Sequence, residues 1–301
     1  MPRRIVDAHH HFWDLGRNRH PWLCDEPPIA FRYGDYAALR RNYLQADYLH
    51  DAATASVEVQ GTVYVETEWD PADPRGEMRY VETLIRERGL PTVAVAHTRL
   101  DAPDAPDLLA HHAAFPFVRS IRHKPRANPR PGMTEPGGMA DSAWRRGYAQ
   151  LAPLGLRFDL QTPWWHMGEA AALARDFPDT TLIINHAGLP ADRSAEGLAA
   201  WRTAMAQVAG CPNVCVKISG IGVPGQVWTA QANGAIVRHL IEVFGVTRCM
   251  FASNFPVDSL CGSFKAIFGG FGDIVADLSD DEQDALFRRN ALRIYNMGLA
   301  E

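Results

Sequence analysis

Eight short β-rich runs recur along this chain with helical or loop stretches between them, and that alternation restricts the fold more than any other feature. The runs occupy 4–14, 61–68, 92–97, 118–123, 155–161, 180–186, 213–219 and 248–254. Between several of them the apolar residues change to helical spacing, as at Met78, Val81, Leu84 and Ile85. Further helices are expected over 141–151, 167–177, 195–208, 235–244 and 279–297, the last opening on a Ser279 cap with a capping Glu282. Strands that alternate with helices pair in parallel. Eight such units in 301 residues predict a single α/β domain over 1–301, a (β/α)8 TIM barrel. A doubly wound sheet is the alternative, but no glycine-rich phosphate loop follows the first run. The sequence shows no linker, low-complexity tract or fixed-period repeat.

With 47% hydrophobic and 22% charged residues, the chain can bury a large core. A net charge of −5 gives no reason to expect a nucleic acid or an anionic membrane as partner. No run approaches the roughly 20 apolar residues that span a bilayer. Met1-Pro2-Arg3-Arg4 leads straight into a strand without an apolar signal segment, so a cytoplasmic protein is expected. The five cysteines are odd in number, and Cys215 and Cys249 lie in apolar runs, which suits reduced buried thiols. Cys211 and Cys215 lack the second pair that a metal site of that type needs.

The first run ends Asp7-Ala8-His9-His10-His11-Phe12-Trp13-Asp14. Side chains alternate along a strand, so His9 and His11 share a face and His10 takes the other. Two imidazoles on one face at a strand end can hold a metal or polarise a carbonyl; hydrogen-bonded structural histidines are the plainer reading.

Working residues of a barrel sit at the C-terminal ends of its strands. A census there returns Glu66, Glu68, His97, Arg122, His123, Asp159, Gln161, His186, Lys217, Ser219 and Asn254, with Asp258 just beyond. A packed core alone does not call for a polar residue at every strand end. His186, after Leu182-Ile183-Ile184-Asn185, is a candidate to converge with His9 and His11. The basic stretch 119–130 is either a solvated loop or a clamp for a substrate carboxylate, with Arg122, His123 and Arg126 as its candidates. The long insertion 15–51, rich in aromatic and turn residues, is expected over the barrel mouth as a lid or wall. The stretch 126–139 is similar.

The motifs Val6-Asp7-Ala8-His9-His10-His11-Phe12-Trp13-Asp14, Phe158-Asp159-Leu160-Gln161, Ile184-Asn185-His186-Ala187-Gly188, Val216-Lys217-Ile218-Ser219-Gly220 and Met250-Phe251-Ala252-Ser253-Asn254-Phe255-Pro256-Val257-Asp258 fall in order, followed by 287–295. Together they resemble the amidohydrolase-2 branch of the amidohydrolase superfamily, and within it the sugar-lactone, sulfomuconolactone and pyrone-dicarboxylate lactonases. The resemblance implies a distorted TIM barrel with its site at the strand ends. Superfamily members commonly bind one or two divalent metals through first-strand histidines, later histidines and an eighth-strand aspartate. Several lactonases of this branch work without a metal. In them the positions of His9, His11 and His186 would polarise the lactone carbonyl, and the eighth-strand aspartate would activate water.

This chain departs from the family at that aspartate, where it carries Asn254. An amide cannot act as a carboxylate base and is a poorer metal ligand. The base is then Asp258 reaching back, or a carboxylate such as Glu66, Glu68 or Asp159, or else Asn254 orients a water whose proton leaves through His186.

The expected function is hydrolysis of a lactone or related cyclic ester bearing a carboxylate. His9, His11, His186, Asn254 and Asp258 are the catalytic candidates. Trp13, Arg122, His123, Arg126, Asp159, Gln161, Trp165 and Lys217 are the substrate-contact candidates, with Trp22 a further pocket wall. No cofactor is required in this reading. The alternatives are a hydrolase or decarboxylase using one zinc or manganese ion on His9, His11 and His186, and a ligand-binding protein with a decayed site. The expected partner is a small molecule, and oligomeric state, including a homo-oligomer, stays open.

Overall fold

The computed structural model describes residues 2–299. Its strands are β1 (Arg3–His10), β2 (Val57–Val65), β3 (Val93–His97), β4 (Val118–Arg122), β5 (Arg157–Leu160), β6 (Leu182–Ile184), β7 (Val214–Ile218) and β8 (Cys249–Phe251). All seven neighbouring pairs are parallel, in the order β1 to β8. The sheet closes through the chain just after β8: Asn254 N donates to His9 O and His11 N donates to Phe255 O, each at 2.8 Å. Eight parallel strands with helices between them therefore make the expected TIM barrel.

The helices are α1 (Pro21–Cys24), α2 (Gln45–Ala53), α3 (Gly76–Arg88), α4 (Ala105–Ala113), α5 (Ser142–Tyr148), α6 (Met167–Asp176), α7 (Ala195–Ala209), α8 (Ala230–Phe244), α9 (Phe264–Ile274), α10 (Asp280–Asp284) and α11 (Asn290–Ile294). The expected stretches correspond to α3, α5, α6, α7, α8 and the α10–α11 region. There the Ser279–Glu282 capping box forms, and a π-helical turn at Ala285–Arg289 separates the two helices. Helices α1, α2, α4 and α9 lie outside those stretches. The first two lie inside the aromatic insertion, and α4 and α9 carry proline, alanine and glycine that blur helical spacing.

Alternate strand residues fill the barrel. Val6 and Ala8, Val63 and Val65, and Val93 and Val95 share one inner cluster. Strict alternation would then turn His9 and His11 outward. The β1–β2 register shifts between Asp7 and His10, and this bulge turns the histidines to the mouth. His10 packs outside the barrel against Phe12 and Tyr48. Beneath, Tyr295 of the C-terminal segment plugs the floor and donates its hydroxyl to Asp159 Oδ1 at 2.9 Å. No described helix is long and apolar enough to cross a membrane.

Candidate active site

Above that plug lies a wholly buried ion pair, Lys217 Nζ to Asp159 Oδ1 at 2.7 Å. Asn185 Nδ2 also donates to Asp159, at 2.8 Å. Burial lowers the Lys217 ammonium from its ordinary value, and Asp159 opposes that shift. Both residues, expected at the substrate, form the tier under the site and do not line its cavity.

The next tier holds the histidines. His9 is wholly buried, while His11 and His186 are 6% and 3% exposed. His9 Nε2 lies 3.3 Å from His11 Nε2, and the His9 and His186 rings are 4.5 Å apart. His11 Nδ1 donates to the Val65 carbonyl at 2.7 Å, which leaves a lone pair on Nε2 of the neutral ring. The 3.3 Å contact is then His9 Nε2–H donating to His11. His186 Nδ1 lies 3.1 Å from Ser219 Oγ. Burial pushes His9 and His186 well below the usual imidazole value and His11 down to about 3. All three are therefore neutral at neutral pH.

His186 (φ 53°) and Asn254 (φ 54°) both occupy the left-handed region without being glycine. Such conformations cost energy and gather at functional sites. Asn254 Nδ2 donates to Asp258 Oδ1 at 2.7 Å, leaving Oδ1 of the amide without a partner among the described residues. Asp258 is fully engaged: it also accepts from Tyr33 OH at 2.9 Å and from Gly220 N at 3.1 Å. Burial raises its pKa, and it lies behind Asn254 rather than in the cavity.

These groups line a cavity of about 300 Å3. His11, His186 and Asn254 form its floor, Trp13, Trp22 and Phe31 wall it, and Arg32, Arg122 and Gln161 border it. The Arg122 fork is occupied: Nε donates to Glu66 Oε1 at 2.5 Å, Nη2 to Glu66 O at 2.6 Å, and Nη1 to Gln161 Oε1 at 3.1 Å. Burial pushes the Glu66 carboxyl up, but Arg122, with His97, Lys124 and the Glu68 N–H, together outweigh it and hold the group well below the usual carboxylate range.

Of the sequence candidates, His11, Trp13, Trp22, Glu66, Glu68, Arg122, Gln161, His186 and Asn254 meet at this cavity, with His9 directly behind. The others do not. His123 borders a second cavity, Trp165 a third, and the Arg126 side chain is exposed outside both. Arg126 fails to join Arg122 because the strand ends at Arg122 and the chain turns outward. Arg32, at the cavity, and Tyr33, on Asp258, join the site without standing among the sequence candidates. They come from the insertion, where a cation amid aromatic residues was the available signal.

A catalytic zinc needs about three protein ligands. His9 and His11 present two facing imidazole nitrogens, and the His11 N–H on a backbone carbonyl is the support such a ligand uses. Among the described residues, however, no three His, Cys, Asp or Glu side chains form a ligand cluster. The donor set falls short of a three-ligand centre. All five cysteines are free, and four of them are buried.

An eight-stranded parallel barrel with neutral histidines at its strand ends belongs to the class of (β/α)8 barrels whose sites lie at the C-terminal mouth. Within that class the chain is a member of the amidohydrolase family, whose model matches residues 6–297. It is 39% identical over 297 residues to an uncharacterised protein, y4mH, of Sinorhizobium fredii, covering 97% of this chain and 98% of that one. It is 25% identical to an L-fucono-1,5-lactonase of Burkholderia ambifaria, covering 97% and 95%. A crystal structure of an amidohydrolase from Burkholderia multivorans with bound HEPES superposes with a TM-score of 0.79 at 22% identity, covering 97% and 99%.

Proposed function

We propose that the protein hydrolyses a lactone, with water attacking the carbonyl in the cavity above His11 and His186. The observation that carries this reading is the Asn254 amide, fixed by Asp258 so that its Oδ1 is free at the cavity that a neutral His186 also lines. Oδ1 accepts a hydrogen bond from the water. His186 Nε2 takes the proton, while Ser219 Oγ accepts from Nδ1 and steadies the imidazolium. The fixed positive charge of Arg122 faces the oxygen on which charge develops. His9 acts as a positioning residue behind His11. The ring oxygen departs as an alcohol once His186 returns its proton. A lactone is an activated ester, and its opening suits a weak neutral base better than an amide would. The L-fucono-1,5-lactonase relative supports a sugar-acid lactone as substrate.

The test is proton release from sugar-acid lactones, muconolactones and pyrone carboxylates in weak buffer, with and without chelator. Turnover that survives chelation and falls at least about a hundredfold in His186→Ala is expected. No turnover on any lactone, with or without added zinc or manganese, overturns the proposal.

A second reading, a divalent-metal hydrolase or decarboxylase, is favoured by one contact, the facing His9 and His11 nitrogens. Activity lost to chelator and restored by stoichiometric zinc or manganese would select it.

A further inference from the structure

A second cavity of about 550 Å3 opens beside the first, over the ends of β2, β3 and β4. The two share Trp22, Glu66, Glu68 and Lys124 as walls. Trp22 is fixed, with its indole N–H on the Thr67 carbonyl at 2.9 Å and its ring stacked on Phe31. Glu68 and Lys124 pair across the rim with both side chains part-exposed, so this part of the partition can move.

The polar groups of the second cavity have defined hydrogen-bonding sense. His97 Nδ1 lies 3.0 Å from the Arg122 carbonyl, which only accepts, so Nδ1 carries hydrogen, and in the Nδ1–H tautomer Nε2 is an acceptor. His123 is the reverse. Its Nδ1 accepts from Leu100 N and from Trp144 Nε1, each at 3.0 Å, so its Nε2 carries the hydrogen. That Nε2 has no hydrogen bond among the described residues, its approach to Asp101 being 3.9 Å. The Thr98 hydroxyl, between them in the chain, is wholly buried without a partner among the described residues. Unpartnered buried polar groups are costly, which points to a ligand that completes them. One acceptor, one donor and one hydroxyl read the alcohols of a ring, and Trp69 with Trp22 offers apolar faces beside them. Asp70 and Asp104 bring negative charge to the lining, which disfavours an anion, while burial and Glu66 raise the Glu77 carboxyl to about 7.

The geometry points to the second cavity as a subsite for a neutral polyhydroxylated ring, the second unit of a two-ring sugar lactone whose carbonyl lies at His11 and His186. This assignment of substrate class rests on the lactonase reading above. The occupant stays covalently intact; only the lactone ester opens, consuming one water.

Two measurements separate this subsite from that reading. The first is kcat/KM for lactobionolactone (two rings) against gluconolactone (one ring), in the wild type and in Thr98→Val. The second is calorimetric binding of lactose against glucose to the same proteins, which needs no turnover. Trp69→Leu, at a half-buried wall, is the second variant should Thr98→Val fail to fold by circular dichroism. The wild type is expected to prefer the two-ring compound at least about tenfold in each measurement, and either variant is expected to erase most of that preference. Lactose preference that depends on Thr98 or Trp69, without turnover of any lactone, would keep the subsite and discard the hydrolysis. Equal handling of one-ring and two-ring compounds, or a preference indifferent to both substitutions, would overturn the subsite.

Discussion

The amide of Asn254 donates to the carboxylate of Asp258 at 2.7 Å, four residues away and wholly inside the protein. Asp258 is thereby the anchor of Asn254, and the insertion reaches the same carboxylate through Tyr33 OH at 2.9 Å. Asn254→Asp would place two carboxylates at this distance, and one of them would have to keep a proton. The variant is expected to lose kcat at pH 7 and to gain a new limb in its pH–rate profile. A rise in kcat at pH 7 would show instead that a carboxylate base belongs at this position.

Gly220 has φ +59°, and a Cβ there would lie 2.5 Å from His186 Nδ1 and 2.7 Å from Arg32 Nη2. Gly220→Ala must displace the histidine or the arginine. Roughly 1–2 kcal/mol of stability is expected to be lost. Turnover is expected to fall more steeply than stability, by over about tenfold, because a displaced base no longer meets the water. Urea unfolding and kcat on the same preparation check both.

Lys217 and Asp159 form a pair with no exposure. Removing one partner leaves a buried charge uncompensated, so Lys217→Met is expected to cost about 3–5 kcal/mol. Adding Asp159→Leu should recover part of that loss, although Tyr295 OH then loses its acceptor. A double-mutant cycle in urea gives the coupling.

His112 lies away from the site, donates through Nε2 to the His97 carbonyl at 3.0 Å, and is lowered to about 4, chiefly by burial. The unfolded chain binds its proton near pH 6.5 and the folded chain does not. Its neutral form therefore stabilises the fold above pH 6.5, and the contribution is lost as pH falls from 6.5 towards 4. His112→Gln cannot titrate. The stability gap between wild type and variant is expected to narrow by up to about 3 kcal/mol over that range. A gap independent of pH in urea titrations would contradict the assignment.

The sequence by itself determined the barrel. Strand and helix periodicities are local, and eight apolar runs with polar ends leave few ways to close a sheet. It also marked His9, His11, His186 and Asn254, because strand-end position is readable from where an apolar run stops. Tertiary structure decided which of the strand-end groups share a cavity. Asp159 and Lys217 stand at strand ends like Gln161, yet Tyr295 approaches from the far end of the chain and seals them into the floor. The bulge that aims His9 and His11 inward is a register shift between two strands, invisible in either alone. Arg32 and Tyr33 reach the site from an irregular insertion whose path is set by long-range contacts, such as Tyr33 with Asp258, 225 residues apart. Local patterning fixes which backbone forms. Which side chains meet depends on pairings made across the whole chain.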